Sequence, residues 1–160
     1  MSDVLPMLQA ISQTDTVPFV RVAWNDPAPI MKALDLGAYG IIVPLVNNAE
    51  EAARAVSACR YPPDGMRSFG PVRASQYGGA DYPSKANGEI IVMAMIETKE
   101  GLENLEAICA TPGLDAVYIG PSDLSYALDL EPRGDNPDPL HIETCNKILK
   151  IAHDNGIKAV

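Results

Sequence analysis

The sequence lacks most features that would announce a function outright. It has no basic excess: 12 Lys and Arg stand against 21 Asp and Glu, for a formal net charge of −9. Nucleic-acid binding needs a basic footprint, and no stretch supplies one. It has no long apolar run. Tyr39 to Val46 and Ile90 to Ile96 are the longest, far short of the roughly 20 residues of a membrane span. The opening MSDVLPMLQAIS has an early Asp3 and no basic stretch, so it does not read as a secretion signal, and the cytoplasm is the expected compartment. Neither GxGxxG nor GxxxxGKS/T occurs, which leaves a nucleotide-binding sheet without support. Cys59, Cys109 and Cys145 form no CxxC; they read as small, buried, reduced thiols. His141 and His153 lack HExxH spacing and read as surface or capping residues.

What is present is an α/β pattern. Apolar residues make up 47% and charged residues 21%, a globular composition that argues against disorder. At 160 residues the chain is long enough for one domain with a core. It is short of the roughly 200–250 residues of a complete (β/α)8 barrel. Residues 1–160 read as a single unit, with no linker or low-complexity segment.

Short Val/Ile-rich runs alternate with amphipathic stretches. Val17–Val22 reads as a strand. Asp26-Pro27 then supplies a cap and a first-turn proline, and Gly37 a helix stop. Gly40–Val46 is a second strand. Asn48-Ala-Glu-Glu51 resembles a capping box opening a helix to about Arg60. Residues 61–88 are rich in Gly and Pro and read as a long loop with one short helix near Tyr82–Ala86. Loops that long are often functional. Glu89–Ile96 reads as a strand, Lys99–Ala110 as a helix and Asp115–Ile119 as a strand. Leu140–Asp154 reads as a helix closed by Asn155-Gly156, and IKAV starts another strand. Continuous apolar strands joined by helices point to a parallel sheet with both faces covered. The pattern leaves open whether that sheet is a barrel or doubly wound.

In either architecture functional groups gather at the carboxyl ends of the strands. Arg21 sits in the first strand, Glu97 ends the third and Asp123 follows the fourth in IGPSD. A charge ending an apolar run is costly unless it is paired or binds a cation. Glu97 and Asp123 on neighbouring strands would hold Mg2+ together with substrate oxygens and water. Helix capping by Thr98 or Asp123, or ion pairing, is the alternative. Arg21 would stabilise negative charge on a bound oxygen, or pair with Asp26 or Glu97. Ser122 and the following amides open a helix that would take a carboxylate. Asp35 reads as a solvated helix residue. Arg67 and Arg73, in the long loop, are candidates for binding an anionic substrate tail, with a plain surface role as the alternative. Met93, Met95 and Glu97 alternate and so share one strand face.

The strings VRVAWNDP, YGIIVPLVNNAEEA, RYPPDGMRS, MIETKEGLENL, LDAVYIGPSDLS and NGIKAV, in this order, resemble the HpcH/HpaI aldolase family. Its members are class II pyruvate aldolases such as 4-hydroxy-2-oxoheptanedioate aldolase. The resemblance implies a (β/α)8 TIM barrel, here incomplete, with about five βα units similar to the family's third to seventh strands. It implies a homo-oligomer and a divalent cofactor, Mg2+, Mn2+ or Co2+. It implies Glu97 and Asp123 as metal ligands, Arg21 as the enolate-stabilising arginine, and Ser122 and Asp123 amides as the pyruvate carboxylate site. Asp35 matches a carboxylate that supports the family's catalytic histidine, which lies in a segment with no counterpart here. Met95 stands where many members carry a substrate-contacting Gln. The implied substrates are a 2-oxo acid and an aldehyde, with neither nucleic acid nor membrane as partner. The implied reaction is reversible aldol cleavage; related lyases acting on CoA thioesters, and a non-catalytic remnant, are the alternatives.

Overall fold

The structure, a computed structural model, describes residues 3–160. Its elements run α1 (Val4–Ile11), β1 (Phe19–Arg21), α2 (Pro27–Asp35), β2 (Gly40–Val43), α3 (Ala49–Cys59), α4 (Val72–Gly78), α5 (Tyr82–Glu89), β3 (Ile91–Ile96), α6 (Lys99–Glu103), α7 (Leu105–Cys109), β4 (Ala116–Ile119), α8 (Pro121–Ala127), α9 (Pro139–Asp154) and β5 (Lys158–Ala159). Local chemistry sets several boundaries. Asp26 caps α2 by accepting from the Ala28 amide at 2.9 Å, and Gly37 ends it at φ 106°, a conformation that favours glycine. Asn48 caps α3 through the Glu51 amide at 2.9 Å. Asp138 caps α9 through Leu140 at 2.9 Å.

The five strands are parallel and lie in the order β1-β2-β3-β4-β5. Sequential order without a reversal is the order of barrel staves; a doubly wound sheet has a switch point. Register runs Arg21↔Ile42, Ile42↔Met93, Met93↔Ala116 and Ala116↔Lys158. These residues therefore share one face. The opposite face carries Val22, Ile41, Val43, Val92, Ala94, Ile96 and Val117, all buried in the core with Ile30, Leu34, Leu105, Ile108, Leu124 and Ile148 from the helices. Each fully buried Leu, Ile or Val contributes about 1.5–3 kcal/mol. The other face is more open: Phe19 and Arg21 are exposed, and Ile42, Met93 and Tyr118 are half-buried. Strands expected to be covered on both faces are thus fully covered on one. The sheet is a partial barrel wall, with helices outside and its inner face open.

The sequence pattern did not show helix α1 (Val4–Ile11). The stretch 61–88 holds the short helix expected near Tyr82, as α5, and also an unexpected one, α4. The helix expected over Lys99–Ala110 is two, α6 and α7. The break falls at Asn104, whose side-chain amide donates to the Asn47 carbonyl at 2.9 Å. His141 is buried, with Nε2 3.2 Å from the Pro121 carbonyl, whereas His153 is exposed. Cys59 and Cys109 are buried thiols; Cys145 is half-buried. Arg67 is only 1% exposed. It pairs with Asp35 at 3.0 Å, donates to the Tyr82 hydroxyl at 3.2 Å and stacks 4.4 Å from the Tyr61 ring centre. Arg73 donates to the Leu36 carbonyl and to the Tyr77 hydroxyl at 2.6 Å. Both arginines are thereby tied to the end of α2, Arg67 through Asp35 and Arg73 through Leu36. Among the described residues no helix is long and apolar enough to cross a membrane.

Candidate active site

The carboxyl ends of β1 to β4 surround a cavity of about 410 Å³ lined by Arg21, Val22, Ala23, Pro44, Leu45, Met95, Glu97 and Asp123. Four of the sequence candidates therefore meet: Arg21, Met95, Glu97 and Asp123. Arg21 ends β1 and is exposed, with no ion pair to Asp26 or Glu97. Met95 is buried. The alternation from Met93 through Met95 carries Glu97 onto the same inner face.

Glu97 is only 5% exposed. Its Oε1 accepts from the Leu45 amide at 2.8 Å. Leu45 adopts φ 54°, a left-handed conformation that costs a branched residue about 1–2 kcal/mol. Such strain collects at functional sites, and here it aims an amide at a carboxylate. Glu97 Oε2 lies against Gly120, where a Cβ would come within 2.3 Å of it. Only glycine leaves that oxygen its place. Burial raises the Glu97 carboxyl above its ordinary value. The Leu45 amide opposes this, Asp123 adds to it, and Arg21 opposes it again.

Asp123 lies in the first turn of α8 and is exposed. Gly120 holds the cap position without a side chain, and Pro121 opens the helix. Ser122 and Asp123 follow in the first turn, where amides have no intrahelical acceptor. Ser122 is exposed but does not line the cavity.

Asp35 is not brought to this group. Helix α2 starts above the end of β1 and returns to the start of β2, so its last residue lies at the amino ends of the strands. Glu97 lies past the other end of β3, whose six residues span about 20 Å. Asp35 instead holds Arg67.

Among the described residues no three His, Cys, Asp or Glu cluster as a metal centre. Two carboxylates are nonetheless a sufficient protein share for Mg2+, which keeps several waters and takes substrate oxygens. The donors fit such a cation. They are hard oxygens, one is buried with its charge disfavoured, and the glycine-walled space beside Oε2 is kept clear.

Leu45, Asn47 and Gly120 were not singled out from sequence. Gly120 carried a signal, a glycine directly between a strand and a helix-opening proline. Leu45 carried none, because its importance lies in a backbone angle.

The HpcH/HpaI aldolase/citrate lyase family model matches residues 1–160. A hydroxypyruvate/pyruvate aldolase of Rhizorhabdus wittichii is 44% identical over 153 residues, covering 96% of this chain and 61% of that protein. A 4-hydroxy-2-oxo-heptane-1,7-dioate aldolase of Shigella flexneri is 47% identical over 125 residues, covering 76% of this chain and 47% of that protein. A solved HpcH/HpaI aldolase/citrate lyase family protein from Burkholderia cenocepacia superposes with a TM-score of 0.88 at 33% identity, over 99% of this chain and 64% of that one. The chain thus spans roughly half to two thirds of the length of these relatives. Matched along its whole length by the family model, and built as a run of parallel barrel staves with acids at their carboxyl ends, the chain belongs to the HpcH/HpaI aldolase/citrate lyase family.

Proposed function

We propose that this chain carries the metal-binding and 2-oxo-acid-binding part of a class II pyruvate aldolase, which cleaves a 4-hydroxy-2-oxo acid reversibly to pyruvate and an aldehyde. The observation that carries this reading is the buried Glu97 beside Asp123 at neighbouring strand ends, in a cavity that also holds Arg21. Glu97 and Asp123 would hold Mg2+, Mn2+ or Co2+. A divalent cation supplies Lewis acidity at the 2-oxo group and so acidifies the adjacent carbon. Arg21 supplies a fixed positive charge for the oxygen that becomes negative, a contribution on the order of 3 kcal/mol. The amide of Asp123, at the start of α8 and at the cavity wall, would orient the substrate carboxylate. Met95 and Leu45 give the cavity an apolar wall, so no hydrogen bond holds the substrate at Met95 as a Gln would. A general base must take the proton. Neither a histidine nor Asp35 lines the cavity among the described residues.

The aldolase names of relatives at 44% and 47% identity favour free hydroxy-oxo acids over CoA thioesters as substrates. The exposed Met66, Phe69 and Val72 of one segment support self-association, which sedimentation velocity checks. The catalytic reading is tested by pyruvate release from a 4-hydroxy-2-oxo acid with and without Mn2+. Release should need the metal and vanish in Glu97→Ala. Activity surviving that substitution would overturn the assignment. A folded chain that binds Mn2+ but releases no pyruvate would overturn catalysis by these residues alone.

A further inference from the structure

Glu97 is aimed by one backbone donor, the Leu45 amide, and that donor sits in an unfavourable conformation. A leucine at φ 54° persists only where its surroundings over-determine it. Nothing in Leu45 itself does so, since its side chain is exposed. The holding contacts come from two residues further on. Asn47 Nδ2 donates to the Leu45 carbonyl at 3.1 Å, closing the turn that exposes the Leu45 amide. Asn47 Oδ1 accepts from the Thr98 hydroxyl, on the residue directly after Glu97. The same hydroxyl oxygen caps α6 by accepting from Gly101 at 2.9 Å.

The backbone of Asn47 is fixed as well. Its amide donates to Glu51 Oε2 at 2.8 Å. Its carbonyl accepts from Asn104 Nδ2 at 2.9 Å. The Glu51 contact explains why the expected capping box is shifted: the carboxylate reaches the residue before the cap instead of the cap itself. Every polar group of Asn47 is thus engaged, and its partners lie on both the loop after β2 and the loop after β3. One side chain spans the donor loop and the acceptor loop of the Leu45–Glu97 hydrogen bond.

We propose that Asn47 is a positioning residue for Glu97: its side-chain amide locks the Leu45 turn to Thr98 and so fixes the direction in which the Glu97 carboxylate faces the cavity. Its consequence for metal affinity rests on Glu97 being a metal ligand; the locking does not. Outer partners of metal ligands typically carry 10- to 100-fold in affinity.

The test has two readouts on the full chain. The first is amide hydrogen exchange at Leu45 without metal. Asn47→Ala should speed it about tenfold or more. Asn87→Ala is the control. It loses bonds to the Tyr61 amide, the Tyr61 carbonyl and Asp64 at the far end of the sheet, and should leave Leu45 within about twofold. The second readout is Mn2+ binding by electron paramagnetic resonance. Asn47→Ala should weaken it about tenfold or more, and Asn87→Ala should not. Thr98→Val should reproduce both losses and Thr98→Ser should restore both; this pair decides the matter if Asn47→Ala does not fold. Unchanged Leu45 exchange in Asn47→Ala, equal acceleration in Asn87→Ala, or equal behaviour of the two Thr98 variants would overturn the proposal. A wild-type chain that binds no Mn2+ would overturn the metal reading, while Leu45 exchange would still decide the role of Asn47.

Discussion

Replacing Gly120 by alanine tests the shape of the site with a single methyl group. Gly120 sits at φ −90°, which any L residue adopts, so the substitution brings no backbone strain. By itself it would stabilise the chain by about 0.4–1 kcal/mol, through a less flexible unfolded state. The added Cβ, however, would meet Glu97 Oε2 at 2.3 Å, Glu97 Cβ at 2.9 Å and Met95 Cε at 3.1 Å. The methionine tip can move. The glutamate cannot easily do so, because its other oxygen is held by Leu45 and its stem is buried. Overpacking of this kind costs about 1–3 kcal/mol. The net expectation is a loss of about 1–2 kcal/mol, or a fall in Tm of about 2–8 °C for a domain this long. Mn2+ affinity should fall about 10- to 100-fold, because Oε2 is the displaced atom. Urea unfolding and Mn2+ titration read the two effects separately. A Gly120→Ala chain as stable as wild type and binding Mn2+ equally well would refute the close fit around Glu97.

Two further predictions concern the rest of the molecule. Asp35→Ala leaves the fully buried Arg67 side chain without its carboxylate partner. Breaking a buried pair costs roughly 3–5 kcal/mol. Because Asp35 is partly exposed, urea unfolding should show a loss at or below the low end of that range, with unchanged Mn2+ affinity. A weakened metal site would show that Asp35 does reach it. Stability should also fall in alkali. Burial pushes the Cys59 thiol from 9.0 to about 12. Between those values the unfolded chain releases a proton that the folded chain keeps, so stability declines as pH rises, by about 1.4 kcal/mol per pH unit for this group. Urea midpoints from pH 8.5 to 11 should fall less steeply in Cys59→Ala; equal slopes would contradict the burial argument.

Most of the strands were legible because they lie in short, largely apolar runs bounded by turn residues, and Glu97 because it continues the alternation of Met93 and Met95 to a strand end. The caps at Asp26 and Asn48 were legible for similar local reasons. Contacts between distant segments were not. Arg67 looks like any loop arginine until Asp35, Tyr61 and Tyr82 close around it. His141 looks exposed until the start of α8 packs on it. Asp35 was legible only as a solvated helix residue or as a match to a family carboxylate, and its pairing with Arg67 lies between segments 32 residues apart. The open inner face was equally hidden, since apolar strands read as covered on both sides whether or not the barrel wall continues. Leu45 and Asn47 escaped notice because their roles depend on a backbone angle and on hydrogen bonds across two loops.

In the proposed site, Glu97 and Asp123 hold a divalent cation where Arg21 faces the substrate. Mn2+ binding with and without pyruvate, followed by electron paramagnetic resonance, tests it most directly. Wild-type chain should bind Mn2+ at one site and more tightly with pyruvate. Glu97→Ala and Asp123→Ala should each lose about tenfold or more in affinity, and Arg21→Ala should keep the metal but lose the effect of pyruvate. Unchanged Mn2+ affinity in both carboxylate variants would contradict the account.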